Sequence, residues 1–523
     1  MKRIFFLGFA VLLAMSVFSG CQSDTSLSTI IQTDNGQVEG LPNADASVVA
    51  FKGIPFAAPP VGDLRWKAPQ PVQNWEGVRE CKEFSSSAMQ STPAPFLMWT
   101  SEFIAPAKPL SEDCLYLNLW TANPASAEKR PVIVFIHGGG FTSGSGSVPI
   151  YDGEEMAKAG VVFVTINYRV GIFGFFSHPE LTAESPHHTS GNYGLLDQIA
   201  ALKWVQKNIA AFGGDPTRVT IAGQSAGAFS VNFLVASPLA KGLFQRAIAE
   251  SGGAVLPTSR FARNNTLEQA EKVGEEVAAK LNASSIADLR KIPAEELLKV
   301  RTMSGPIIDG YVLPTDLYTI FSEGKQNDVP VLTGWNAQEG NFSGPLVDAA
   351  TFKKRIEETY GDKAEEFLKL FPADDDTQAQ KSQLELSGLQ TFGVQAFKWM
   401  RFQNQTGHSE VFMYHFIRAL PYGEGQKPYG AFHTGEVPYA YKNLRMSKVR
   451  PWEDVDYKLS DTMSSYWINF AKNGDPNGPG LPEWKPCAPD DYETMYLGKT
   501  CKLKTIPHLK ALELLENHFE SMN

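Results

Sequence analysis

The 523-residue sequence predicts an α/β protein built on one large, mostly parallel β-sheet. Short β-branched runs recur with little polar alternation, which marks strands buried on both faces. Helix-compatible stretches separate them, the alternation expected of an α/β chain. No internal repeat or linker-like break divides residues 30–520. Length alone would suggest about three domains of roughly 150 residues. The unbroken composition instead predicts a single domain over 30–520.

The strands are expected at Val132–Ile136, Val161–Tyr168, Val219–Ala222, Val329–Thr333 and Val411–Phe416. Between Gly194 and Ala211, Leu195, Ile199, Leu202, Val205 and Ile209 share one helical face, and Gly213-Gly214 ends the run. A second helix-compatible run covers Ala226–Ala236. Residues 264–302 and 351–406 are charged and helix-like, and are expected as insertions beside the functional site. With 43% hydrophobic and 20% charged residues, the chain has ample material for a core, which excludes disordered, collagen-like and coiled-coil classes. A formal charge of −10 with no polybasic tract argues against a nucleic-acid partner.

The N-terminus reads as an address. Met1-Lys2-Arg3 precedes an apolar run, Ile4 to Phe18, of about 15 residues, short of the roughly 20 that span a bilayer. Phe18-Ser19-Gly20-Cys21 then resembles a lipobox. Residues 1–20 are expected to be a lipoprotein-type signal peptide, Cys21 the lipidation site and 21–29 a tether. A triacylated end anchors firmly, where one chain is marginal. The expected location is that of an exported bacterial lipoprotein facing the periplasm or the cell surface. The alternative is a soluble secreted protein cut near Gly20. Four cysteines remain, Cys81, Cys114, Cys487 and Cys501, an even set that allows three pairings in an oxidising compartment. Local closure favours Cys81 with Cys114 and Cys487 with Cys501; the alternative is four buried thiols. No pair has zinc-site spacing. His187-His188 sits in a Pro- and Ser-rich loop and reads as solvated rather than metal-binding.

Chemistry enters at Gly223-Gln224-Ser225-Ala226-Gly227, placed between the strand Val219–Ala222 and the helix Ala226–Ala236. Glycines in a tight strand-to-helix turn push the serine hydroxyl out above the sheet, making Ser225 a candidate nucleophile. His137-Gly138-Gly139-Gly140-Phe141 follows another strand and is the kind of loop that forms an oxyanion hole, with donors on Gly139, Gly140 and Ala226. A phosphate-binding reading of the Gly run is weak, since no G-K-[ST] follows. The serine needs a base and a group to orient it, in the chain order Ser, acid, His. Of the late histidines, His415 lies inside a strand, while His508 and His518 flank a C-terminal helix. His433, between Gly430 and Gly435, is the best-placed base. Glu339, in the Gly-bounded loop after Val329–Thr333, is the best-placed acid.

These motifs resemble the type-B carboxylesterase family of α/β-hydrolases, which includes para-nitrobenzyl esterases, animal carboxylesterases and cholinesterases. Residues 212–227 look like its nucleophile signature and Ser111-Glu112-Asp113-Cys114-Leu115-Tyr116-Leu117-Asn118 like its second. Phe51–Ala57, Asn167–Gly171 and Gly191–Gln198 also match. The resemblance runs from about residue 30 to 515. It implies an α/β-hydrolase fold with helices on both faces of the sheet and a Ser225, Glu339, His433 triad. It also implies an oxyanion hole at Gly139, Gly140 and Ala226, with Ser251 beside the acid. A Cys81–Cys114 disulfide and ion pairs Arg65–Glu112 and Arg169–Asp197 follow from it as well. The implied activity is serine carboxylesterase hydrolysis of small-molecule esters through an acyl-serine, with no metal or organic cofactor. Two rival readings share the fold: a catalytically silent adhesion or binding member, and a lipase for longer acyl chains. Gln224 stands where cholinesterases carry Glu, which argues against a choline-ester specialist. Trp99, Phe141, Phe173, Phe176 and Phe342 could line a gorge, although aromatics in so large a chain are mostly core. Oligomeric state is not legible.

Overall fold

The computed structural model describes residues 27–124, 128–258, 262, 264–303, 305–342, 344–423, 425, 427–489 and 491–522. The leader, the lipobox and Cys21 lie outside the described residues. One sheet gathers eleven strands: β1 (Leu41–Pro42), β2 (Val49–Pro55), β3 (Tyr116–Thr121), β4 (Arg130–Ile136), β5 (Val162–Ile166), β6 (Gly214–Gln224), β7 (Arg246–Glu250), β8 (Val331–Asn336), β9 (Val411–Phe416), β10 (Glu493–Leu497) and β11 (Lys502–Thr505). Their spatial order is β11-β10-β9-β8-β7-β6-β4-β5-β3-β2-β1. The seven strands from β5 to β10 run parallel, and the flanking pairs are antiparallel.

Every expected strand is present within a few residues of its expected bounds. Their unbroken apolar character has a direct cause, visible in β4. Val132, Val134 and Ile136 enter one hydrophobic core, while Ile133 and Phe135 enter another on the opposite face. The longer helices are α1 (Tyr193–Asn208), α2 (Ala226–Ala236), α3 (Leu267–Lys280), α4 (Ala349–Tyr360), α5 (Asp376–Gly388), α6 (Val394–Thr406), α7 (Asp454–Asn473) and α8 (Leu509–Glu520). Helix α1 packs Leu195, Ile199, Leu202 and Val205 into the first core, and α7 packs Leu459, Met463 and Trp467 into the second, so helices cover both faces. A short 3₁₀ turn, Ile209–Phe212, follows α1 and stops at Gly213, whose φ of 81° needs no Cβ penalty.

Strand order reverses direction at β4, which has β5 on one side and β6 on the other. Open α/β sheets bind ligands at the carboxyl ends of strands beside such a point. The Gly-rich loop after β4 and Ser225 after β6 both lie there.

The two insertions part company. Residues 351–406 supply α5 and α6, and Leu384 and Gly388 pack directly on Gly340 and Glu339. Residues 264–302 instead build a satellite core with Trp66, Phe173, Phe176 and Tyr193 through Val277, Ile286, Leu289 and Leu297. Charge and helical period place an insertion on the surface, but its apolar face decides which flank it joins. The implied ion pairs are both made. Arg65 Nε meets Glu112 at 2.7 Å, and Arg169 grips Asp197 through Nε at 2.8 Å and Nη2 at 2.7 Å.

The disulfides are not present. Cys81, Cys114, Cys487 and Cys501 are free thiols, so the expected Cys81–Cys114 and Cys487–Cys501 bridges must be corrected. Burial pushes Cys81 and Cys501 up to about 11, Cys487 to about 12 and Cys114 further still. Each is held as the neutral thiol, the unreactive form in disulfide exchange.

Candidate active site

Ser225 lies in the turn between β6 and α2, with φ 56° and ψ −125°. A non-glycine residue in that region carries strain of order 1–3 kcal/mol, which the surroundings must over-determine. They do so by close approach of backbones. A Cβ on Gly223 would lie 2.4 Å from the Gly227 carbonyl, and one on Gly227 would lie 2.0 Å from Ile136 O. The two glycines of the motif therefore let α2 press against both β6 and β4. The Ser225 amide donates to Glu250 O at 2.9 Å, tying the turn to β7. Phe141 after the Gly-rich loop, Ser251 after β7 and Thr434 beside His433 also have positive φ.

The Gly-rich loop abuts the serine: a Cβ on Gly138 would sit 3.0 Å from Ser225 Cβ. Gly139 and Gly140 have φ of 111° and 61°. Gly139 O accepts from the amides of Thr142 and Ser143, both at 3.1 Å, closing the loop on itself. Gln90 pins its far end through both amide atoms to Gly144. Tyr168 donates its hydroxyl to His137 O at 3.0 Å and stacks on the His137 ring. Burial lowers His137 to about 4, so this imidazole is neutral across the working range. Among the described residues, the N–H groups of Gly139, Gly140 and Ala226 donate to no protein acceptor. Two of these donors lie in the loop that abuts Ser225 and the third on the residue that follows it, and unclaimed backbone donors are what a developing oxyanion requires.

The histidine and the acid meet. His433 Nδ1 lies 2.6 Å from Glu339 Oε2, with both residues nearly fully buried. The other carboxylate oxygen accepts from Ser251 Oγ at 2.6 Å and from the Asn336 amide at 2.7 Å. The loops bearing the two residues are stitched together: Gln338 N donates to Ala431 O at 3.0 Å, Ala431 N donates to Gln338 Oε1 at 2.6 Å, and Asn336 Nδ2 donates to Phe432 O at 2.8 Å. The Gln224 amide nitrogen also approaches the imidazole, 3.2 Å from Nε2 and 3.5 Å from Nδ1. The Ser225 hydroxyl makes no hydrogen bond among the described residues, so the relay is assembled as far as the imidazole and open at the serine. Such contacts commonly tighten only with substrate bound.

Aromatic rings wall the imidazole. Phe392 stacks on it at 4.6 Å, Phe342 lies at 5.1 Å, and Trp99 meets it edge-on at 6.3 Å while donating to Thr434 Oγ1. Of the five aromatics considered from sequence, Trp99 and Phe342 thus reach the site, whereas Phe141, Phe173 and Phe176 are buried core. Phe392 carried no signal beyond its place in the second insertion. Asn336 and Glu436 were equally silent, since polar residues beside glycines read as turn formers. His415 is a buried strand residue, and His187 and His188 are exposed, as expected, with His187 stacked on Tyr311 at 3.8 Å.

The Carboxylesterase family profile matches residues 27–514. This chain belongs to the carboxylesterase family. Among its relatives, the fumonisin B1 esterase of Sphingopyxis macrogoltabida is 38% identical, with 86% of this chain and 83% of that one covered. The para-nitrobenzyl esterase of Bacillus subtilis (strain 168) is 35% identical over 93% of this chain and 98% of its own. A solved PNB esterase structure superposes with a TM-score of 0.80 at 33% identity, covering 93% of this chain and 99% of the other. The carboxylesterase is an α/β-hydrolase that acts on carboxylic esters.

Proposed function

We propose that the carboxylesterase hydrolyses small-molecule esters through an acyl intermediate on Ser225, with His433 as general base and acid and Glu339 as its orienting carboxylate. The observation that carries this reading is the buried 2.6 Å His433–Glu339 contact together with a strained serine that the Gly-rich loop abuts. His433 Nε2 takes the hydroxyl proton as Ser225 Oγ attacks the ester carbonyl. The amides of Gly139, Gly140 and Ala226 hold the oxyanion. His433 then protonates the departing alcohol. Water repeats the sequence on the acyl-enzyme, releasing the acid, and the cycle closes with water as its one co-reactant. Glu339 keeps the proton on Nδ1, leaving Nε2 unprotonated and able to accept, and stabilises the imidazolium that forms.

Ser225→Ala is expected to lower kcat on an activated aryl ester by at least about a thousandfold; near-native turnover would sink the assignment. Covalent labelling of Ser225 by an organophosphonate separates the enzyme from a silent adhesion member of the fold, which would not label.

One observation favours the lipase reading as a second possibility. Phe96 and Leu97 are 55% and 56% exposed on a tight turn closed by the Phe96–Trp99 hydrogen bonds, and Trp99 touches the His433 ring. An exposed apolar turn next to a ring that contacts His433 would favour long acyl chains. Activation by emulsified long-chain esters, lost in Phe96→Ser with Leu97→Ser, is the expected outcome for a lipase. Preference for soluble short-chain esters assigns a simple esterase.

The chain is further proposed to be exported and held at a membrane through lipid on Cys21 alone. Mass spectrometry of the mature N-terminus, with Cys21→Ser as the soluble comparison, tests this.

A further inference from the structure

The mechanism above employs Glu339 and leaves two buried carboxyl groups beside it without a task. Glu250 closes β7 one residue before Ser251, and Glu436 follows His433 by three residues; both are fully buried. Neither pairs with a lysine or arginine among the described residues. Glu250 receives Trp467 Nε1 at 2.8 Å and the Tyr441 hydroxyl at 3.3 Å. Glu436 Oε2 receives Asn336 Nδ2 in a short hydrogen bond, while its Oε1 has no protein partner. The phenols of Tyr151, Tyr414 and Tyr441 face the cluster, and burial raises all three, so they too remain neutral.

Three buried carboxyls therefore share one region with a single buried imidazole. A single imidazolium can offset only one carboxylate, and a buried charge without a partner is the costliest state available. Glu339, which accepts from His433, Ser251 and the Asn336 amide, has the donors to carry the charge. Burial lifts Glu250 to about 8, and burial together with repulsion from Glu250 and Glu339 lifts Glu436 well above the usual carboxylate range.

Asn336 is where these groups join. Its backbone amide holds Glu339 Oε1, and its side-chain NH₂ reaches both Phe432 O, the carbonyl just before His433, and Glu436. We propose that Asn336 and an uncharged Glu436 form a positioning bridge that sets the distance between Glu339 and His433 from both ends. The bridge leaves Glu339 as the one carboxylate the imidazole sees. Glu436 touches no reacting atom; it acts through Asn336, and the inference rests on the triad reading.

The test reads geometry and turnover separately. In a Ser225→Ala background, the His433 Nδ1 proton in its 2.6 Å contact should give a far-downfield proton resonance. Asn336→Ala is expected to broaden or shift that resonance upfield. In the Ser225 enzyme the same change should lower kcat by about tenfold to a hundredfold with KM within about threefold. Glu436→Ala should behave likewise, and Glu436→Gln, an uncharged isostere, should restore most of the loss. An unchanged resonance and kcat in Asn336→Ala would overturn the bridge. If Glu436→Gln is as poor as Glu436→Ala, the acid is needed ionised and the proposal fails. Should Glu436→Ala not fold, the Asn336→Ala resonance decides. Because that resonance does not depend on ester turnover, failure of the bridge and failure of the Ser225 assignment give different results.

Discussion

Ser225, His433 and Glu339 show how little of a catalytic group's behaviour lies in its own side chain. The serine is strained because Gly223 and Gly227 let three backbones close around it, and the imidazole is oriented because two loops are sewn together beneath it. Glu250 gives this dependence a measurable sign. Its carboxyl, ordinarily near 4.5, is raised to about 8 in the fold, so the native state binds a proton that the unfolded chain has released. Its contribution to stability is fully present below pH 4.5 and is lost as pH rises through about 8. Between those limits the slope is at most about 1.4 kcal/mol per pH unit. Glu250→Gln should therefore flatten the fall in melting temperature between pH 5 and 8, measured by calorimetry. A slope equal to that of the parent would mean that Glu250 does not hold a proton there. Asn336 and Glu436 were invisible in the sequence because their importance is relational: each is an ordinary polar loop residue until the other arrives.

Strands β4 and β6 with helix α2 form the element on which the site stands. The strand-to-helix context of Ser225 was legible because both neighbours announce themselves within a few residues, one by an apolar β-branched run and the other by helix-compatible composition. Helix α2 spans Ala226–Ala236, the expected bounds. Its close docking was less legible, since it depends on a carbonyl from β4. Gly227→Ala would put a methyl 2.0 Å from Ile136 O, a clash with backbone that no side-chain rotation relieves. We expect destabilisation of about 1–3 kcal/mol from overpacking together with a large loss of kcat, because α2 carries the Ala226 donor. Urea unfolding and ester turnover measure the two effects. Unchanged stability would show that the elbow tolerates a wider spacing than the packing indicates.

Across the molecule, buried polar links hold distant segments to the sheet. Arg169 and Asp197, 3% and 0% exposed at their side chains, join the segment after β5 to helix α1. Removing one partner strands the other charge, so Arg169→Met should cost about 3–5 kcal/mol of unfolding free energy. Replacing both partners by apolar residues of similar volume should recover much of that loss, and a single variant as stable as the parent would contradict the argument. At the C-terminus, Lys398 performs a similar office for α8, meeting Glu516 at 2.9 Å and pairing also with Glu520. The satellite core under residues 264–302 belongs at this level too: its helices were legible, but the flank they cover was not.

The order of elements, the sites of the turns and the chemical types present were readable in the linear chain, because helical period, strand burial and turn chemistry are each written within a few neighbouring residues. What required the folded molecule was convergence and charge. His433 meets a carboxylate 94 residues away in sequence, and whether a buried acid keeps its proton depends on tryptophan, tyrosine and asparagine donors brought from other strands and helices. The four thiols make the same point, since their even number suggested bridges that the packed chain does not form. Local patterns are short-range and survive in an unfolded chain. Distances and dielectric surroundings come into being only when remote segments exclude water from one another.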